Sequence, residues 1–317
     1  MSRATIGIIA HKVDCLLIQC ISSVMEQTFS DIEIIVADNG STDESGYIAD
    51  QFAAQDERLS VIHMDSENLA AAREAVLNKM TTDFVYWVDG ADSLQKTALE
   101  TVWRIYEDTG ADIVKTVLSP EERRYAGGYD RRAFMRLLLP GRVDSCMAGT
   151  LTRKNLYKYQ QHNSLRDMID IFPALVDNAG MIVIDDSASY TRNEAIAKNA
   201  TTSSEYCREA LRLGEKYEKY HEEFPEETKP VLQQFINYAC IGWLLAENDN
   251  DILPVRVLIE KHERAIMMNP DIIVYSKWLL RKVISNSAFV ISLRGLHEKF
   301  CLYNIDEVNK RITNGAF

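Results

Sequence analysis

The first hundred residues alternate between short β-branched runs and stretches with helical spacing, and nothing else in the chain constrains its fold as tightly. ATIGIIA (4–10), IEIIVA (32–37), SVIHM (60–64) and FVYWV (84–88) read as strands. Between them, VDCLLIQCISSVMEQ (13–27) and LAAAREAVLNKM (69–80) carry helical spacing. A polar helix opens near 44–56 after Asp43 and Glu44, and LQKTALETVWRIYED (94–108) follows the fourth strand. Connections of a few residues imply βαβ units and a mostly parallel sheet covered by helices on both faces, an α/β fold. Ligands of such sheets collect beyond the carboxyl ends of the strands. Three places qualify: AHK after the first strand, DNGSTD after the second and DGAD after the fourth.

From about 118 to 200 the pattern is mixed. EERRYAGGYDRR (121–132) reads as a mobile loop leading into a helix, and MIVID (181–185) as one more strand. From about 203 the spacing is helical in REALRLGEKYEKY, KPVLQQFINYACIGWLLAE and SKWLLRKVISNSAF. The expected division is residues 1–200 for the α/β domain and 201–317 for a helical C-terminal unit. Trp243, Leu244, Trp278, Leu279 and Val283 fall on apolar helix faces there. Most should form a helical core; the rest are expected to dock a partner subunit, giving a homo-oligomer, or the edge of a membrane.

A net charge of −12 leaves no basic surplus for a nucleic-acid partner. The six cysteines are scattered without a CxxC, which fits reduced, mostly buried thiols. The N-terminal apolar run is too short for a signal peptide, and no 18 uninterrupted apolar residues occur, so a soluble cytoplasmic protein is expected, with peripheral membrane contact left open.

DIEIIVADNGSTDES (31–45) places Asp38 just past an apolar strand, before a polar turn. A carboxylate there can accept a hydrogen bond from a base imide N–H or a ribose hydroxyl. The alternative is that it only caps the turn, a role Asp and Asn favour. The stretch closely resembles the nucleotide-binding segment of the family 2 glycosyltransferases, which have the GT-A fold, a Rossmann-like sheet, and use nucleotide-diphosphate sugars. CISSVMEQTFSDIEIIV (20–36) matches their lead-in, AAAR (70–73) their alanine-arginine helix start, and FVYWVDGAD (84–92) the strand ending in their metal motif. The likeness covers residues 4–94, fades through 95–200 and ends there.

The resemblance implies that Asp38 contacts the nucleobase, uracil by expectation, and that His11 lines the base pocket. It implies that Arg73 reaches the diphosphate or fixes the loop. It also implies a divalent cation, Mn2+ or Mg2+, that stabilises the charge growing on the leaving diphosphate. Hard cations take oxygen ligands, and Asp89 and Asp92 fall on the first and last positions of the family's Asp-Ser-Asp-Asp. The third position, the usual key ligand, is Ala91. Two further departures are Glu74, where the family has Asn, and Asn193 followed by Glu194, where it has a histidine ligand. The family's general base falls on Asp167 within SLRDMIDIFPALV (164–176), with Asp170 one turn on.

Taken together, the resemblance implies an inverting transferase of the hexosyl or N-acetylhexosaminyl type, moving sugar from a UDP-sugar to a glycan or lipid-linked acceptor hydroxyl in polysaccharide biosynthesis. The departures motivate a rival, a catalytically degenerate relative that binds nucleotide or a partner without transfer. A nucleotidyltransferase would want a glycine-rich phosphate loop near the first strand, and GIIAHKVD lacks one.

Overall fold

The computed structural model describes residues 3–65, 67–160, 171–193, 203–245 and 252–270, with 272, 276, 277, 280, 281 and 284. The chain divides into two compact units, Met1–Ile196 and Ala197–Phe317.

The first unit begins with the expected alternation: β1 (Ala4–Ala10), α1 (Asp14–Met25), β2 (Ile32–Asp38), α2 (Ser45–Ala53), β3 (Leu59–His63), α3 (Leu69–Lys79) and β4 (Phe84–Asp89). It continues with β5 (Ser93–Leu94), α4 (Ala98–Thr109), β6 (Ile113–Thr116), β7 (Gly127–Tyr129), α5 (Arg131–Leu138), β8 (Thr150–Arg153), α6 (Ile171–Asn178), β9 (Ile182–Asp185) and β10 (Tyr190–Thr191). Eight strands form one sheet in the order β3-β2-β1-β4-β8-β6-β9-β7, and β5 pairs with β10 in a separate antiparallel ribbon. Within the large sheet β1–β4 run parallel, as do β6 and β9, while β8 and β7 run against their neighbours.

β1 is central in the parallel half. Its apolar run is continuous because helices cover both faces, and Ile6 and Ile8 are fully buried. Gly7 pairs with Trp87 on β4, and a β-carbon at position 7 would stand 2.8 Å from the indole ring. The glycine therefore leaves room for the Trp87 ring against β1. The indole N–H donates to the Tyr157 hydroxyl at 2.8 Å.

Two expectations are corrected here. Residues 121–132 are not a loop throughout: Pro120–Tyr125 form a 3-10 turn, and Gly127–Tyr129 add an edge strand against β9. The helix expected from 94 starts at Ala98, because Ser93 and Leu94 are drawn into the ribbon with β10.

The second unit is helical among its described residues: α7 (Ser203–Tyr220), α8 (Lys229–Leu245), α9 (Leu253–Lys261) and α10 (Glu263–Met268). Ala210, Phe235, Ile236, Trp243, Val255 and Ile259 are buried together in its core. Trp278, Leu279, Val283 and the Leu244 side chain lie outside the described residues. No described helix is long and apolar enough to cross a membrane. Of the described cysteines, Cys20, Cys207 and Cys240 are buried and Cys15 is exposed.

Candidate functional site

The parallel register brings three strand tips together. Ala10 at the end of β1 pairs with Asp38 at the end of β2, and Ile9 pairs with Asp89 at the end of β4. Asp38 and Asp89 thus flank the tip of β1 two strand spacings apart, roughly 10 Å.

On the β2 side the polar turn is tightly built. Asn39 N–H donates to the Ala10 carbonyl at 2.8 Å, carrying the turn over the end of β1. Ser45 Oγ accepts from the backbone N–H groups of Val13 and Asp14, both at 3.0 Å, and so anchors the start of α1, which has no side-chain cap of its own. Lys12 adopts a left-handed φ of 53° between β1 and α1. A non-glycine residue in that region carries local strain, here beside a strand tip. His11 lies in this turn, with Nδ1 2.9 Å from the Asn39 carbonyl and Nε2 3.2 Å from Glu67.

Asp38 is buried, with 7% of its surface exposed. Its Oδ1 accepts the Ser41 N–H at 3.1 Å, and its Oδ2 lies 3.2 Å from His63 Nδ1. The turn-capping role is therefore real. Each carboxylate oxygen still has a second lone pair for a ligand donor. Asn39 Oδ1 accepts the Asn68 N–H at 2.8 Å, and Asn68 in turn caps α3 by accepting the Ala71 N–H at 3.0 Å. The second-strand turn thereby fixes the start of the helix that carries Arg73.

On the β4 side Asp89 reaches solvent at the strand tip, and its Oδ1 accepts the Ala91 N–H at 3.1 Å. Crowding of the carboxylate by its surroundings raises its pKa. The Ala91 N–H opposes the rise, the Asp92 charge adds to it, and the charges of Arg192 and Arg73 oppose it more weakly. Arg192 also pairs with Asp144 at 3.0 Å. The chain bends back at Gly90, where a β-carbon would stand 3.0 Å from Ala10 Cα.

Asp92 differs from the expectation of an open second metal ligand. It is 5% exposed, its Oδ2 accepts the Tyr190 hydroxyl at 2.7 Å, and its Oδ1 accepts the Asn193 N–H at 2.8 Å. The carboxylate is taken up in tying β10 to the DGAD bend. Among the described residues no group of three or more His, Cys, Asp or Glu is placed to hold a metal ion. With Ala91 buried and Asp92 engaged, the described side chains do not fit a cation held by the protein alone, and Asp89 is the only open carboxylate of the motif.

The expected base Asp167, with Asp170, and Glu194, beside the place of the family's histidine ligand, lie outside the described residues. Two residues of the site carry roles that were not expected, His63 and Tyr190. For His63 a signal exists, since it ends β3 as Asp38 ends β2. Tyr190 falls on the tyrosine of the family's late Tyr-Arg-x-His, but its bonds to Asp89 and Asp92 have no local signal, because those partners are about a hundred residues away.

An open α/β sheet with carboxylates at the tips of the strands flanking β1 is an architecture of the GT-A type. Residues 5–150 match the model of "Glycosyl transferase family 2". Glycosyltransferase GlyA of Streptococcus pneumoniae is 34% identical over 111 residues, 35% of this chain and 16% of GlyA. Glycosyltransferase GlyG of the same organism is 34% identical over 99 residues, 31% of this chain and 33% of GlyG. The chain thus spans a third or less of these curated relatives. Among solved structures, S. aureus TarS 1-349 superposes with a TM-score of 0.61 at 15% identity, over 95% of this chain and 93% of that one. The mannosyltransferase PcManGT from Pyrobaculum calidifontis, solved with GDP-Man and Mn2+, gives 0.52 at 13% identity, over 95% and 88%. These two likenesses carry the fold.

Proposed function

We propose that this chain is an inverting glycosyltransferase that takes a sugar from a UDP-sugar and passes it to the hydroxyl of a glycan or lipid-linked acceptor. The observation that carries the reading is the pair of strand-tip carboxylates, Asp38 and Asp89, flanking β1 inside a family 2 segment. Their spacing leaves room for a base at Asp38 and a diphosphate at Asp89. Asp38 accepts the imide N–H of the base, and His11 forms a wall of the base pocket. Arg73 and Arg192 meet the diphosphate charge beside Asp89. Support for the uridine donor comes from a TarS structure solved with UDP-GlcNAc, which superposes with a TM-score of 0.61 at 14% identity. The donor and the acceptor hydroxyl meet in the first unit, Met1–Ile196, and Asp167 takes the acceptor proton as the hydroxyl attacks the anomeric carbon.

Thermal melting with UDP tests the donor site, since a ligand of the native state raises the melting temperature. Asp38→Ala should remove most of the rise; no rise with any nucleotide at millimolar concentration would sink the reading. Asp167→Asn should keep nucleotide affinity and lose about 10²–10⁴-fold in transfer. Asp170→Asn is the control and should do much less. Nucleotide binding without transfer to any acceptor, in the natural protein, would favour the degenerate relative instead.

A further inference from the structure

His63 ends β3 in register with Asp38 at the end of β2. Its Nδ1 lies 3.2 Å from Asp38 Oδ2, and its Nε2 lies 3.2 Å from Asp50 Oδ1 on α2. An imidazole that faces a carboxylate with each nitrogen satisfies both only when both nitrogens carry protons. The neutral ring must turn a lone pair toward one of them. The Asp38 carboxylate has little freedom to move away. The Ser41 N–H holds its other oxygen, and a β-carbon at Gly46, in the first turn of α2, would stand 2.6 Å from Oδ2 and 3.4 Å from the imidazole. Glycine at 46 is what lets the carboxylate and the ring sit against the start of α2.

We propose that His63 is the positioning residue of the base-recognition carboxylate: with both nitrogens protonated it holds Asp38 in the orientation that accepts the base imide N–H, so nucleoside affinity falls as His63 loses its proton. The inference rests on the assignment of Asp38 to the base. The ionisable groups that meet the ring are Asp38 from β2 and Asp50 from α2; His11, in the neighbouring turn, bonds the Asn39 carbonyl and Glu67 instead. The Asp38 hydrogen bond is the largest influence on His63, and with Asp50 it raises the ring's pKa above 6.5 against the opposing effect of burial. A raised histidine pKa means the two-sided clamp is complete below the ordinary histidine value. It is lost as pH rises through the raised value.

The test is calorimetry of the full chain with uridine, which has no phosphate to titrate, from about pH 5.5 to about pH 8.5. Affinity of the natural protein should fall about tenfold across this window, the equivalent of one unit of coupled pKa shift. His63→Asn should bind at the weak, high-pH level throughout, with no slope. Asp50→Asn leaves the nucleotide pocket untouched but withdraws one carboxylate, so the midpoint of the fall should move to lower pH. Should His63→Asn fail to fold, the Asp50→Asn midpoint decides alone, and an unmoved midpoint overturns the proposal. If Asp38→Ala abolishes uridine binding while His63→Asn keeps the natural affinity and slope, His63 has no positioning role although the base site stands. If Asp38→Ala binds uridine normally, the assignment of Asp38 has failed, and this inference with it.

Discussion

The Tyr190 hydroxyl donates to Asp92 Oδ2 at 2.7 Å and accepts the Asp89 N–H at 3.1 Å. One buried oxygen thus links the two aspartates of the DGAD bend, and β10 becomes part of the corner at the tip of β4. Tyr190→Phe keeps the ring and removes the link, leaving an N–H and a carboxylate oxygen short of a partner. It should cost about 1–3 kcal/mol in denaturant unfolding. UDP affinity should fall as well, because the bend that presents Asp89 loses its brace. A variant as stable as the natural protein would mean that water replaces the hydroxyl.

Ala91→Asp would rewrite the motif toward the family's usual form. Ala91 is 8% exposed and belongs to the main core together with Leu94, Ala98, Ala188 and Tyr190. A carboxylate placed there is buried beside Asp89 and Asp92. The expected outcome is a loss of about 2 kcal/mol or more, without tighter manganese-dependent UDP binding. Calorimetry with and without manganese, beside a melting curve, checks both halves. Tighter binding with manganese would mean that position 91 can turn out to the donor.

Gly7→Ala tests the packing under the site. The added methyl meets Trp87 at 2.8 Å and Val76 at 3.1 Å, both buried, and Trp87 is fixed by Tyr157. Overpacking of this kind costs about 1–3 kcal/mol. Denaturant unfolding measures it; a change below about 0.5 kcal/mol would mean the indole can slide.

The parallel half of the sheet was legible because each strand there is a short apolar run with a polar turn behind it. β6 and β8 were not read from the sequence. DIVKTV (112–117) and GTLTRK (149–154) interrupt their apolar residues with Lys115, Thr150 and Thr152, all fully buried in the fold. Lys115 survives there because its ammonium donates to the Cys146 carbonyl at 3.0 Å and lies over the Phe172 ring. Burial still lowers its pKa, against the pull of Asp144 and Glu122. A lysine whose partners lie 31 and 57 residues away gives a window-based reading nothing to use. The site divides in the same way. Asp38 and Asp89 were found because they end strands, whereas the engagement of Asp92 depends on Tyr190 and Asn193, which no local pattern joins to it.

The second unit carries a pH dependence of opposite sign to that of His63. His262 is nearly buried; burial lowers its pKa, and the nearby His221 and Lys261 push it further down. Glu218, 3.7 Å from its Nε2, is too distant for a hydrogen bond. The unfolded chain therefore takes up the proton more readily than the folded one. The contribution is fully present above about pH 6.5 and is lost as pH falls toward the lowered value. Protection factors of the α7–α9 amides, which take out the intrinsic pH dependence of exchange, should fall between about pH 6.5 and about pH 5 more than in His262→Gln. An equal fall in both would assign the effect to other groups.

β8 stands between β4 and β6, and its pairing with β4 joins Phe84 to Arg153. Until residues 150–153 arrive, β4 has one side unpaired, and its inner residues Val85, Tyr86 and Trp87 are all strongly apolar. A nascent chain must therefore carry an open, sticky strand edge through some sixty residues of synthesis, the kind of edge that recruits other chains. Fragments that stop short of Thr150 would keep that edge permanently, and aggregation rather than a smaller working domain is what they should yield.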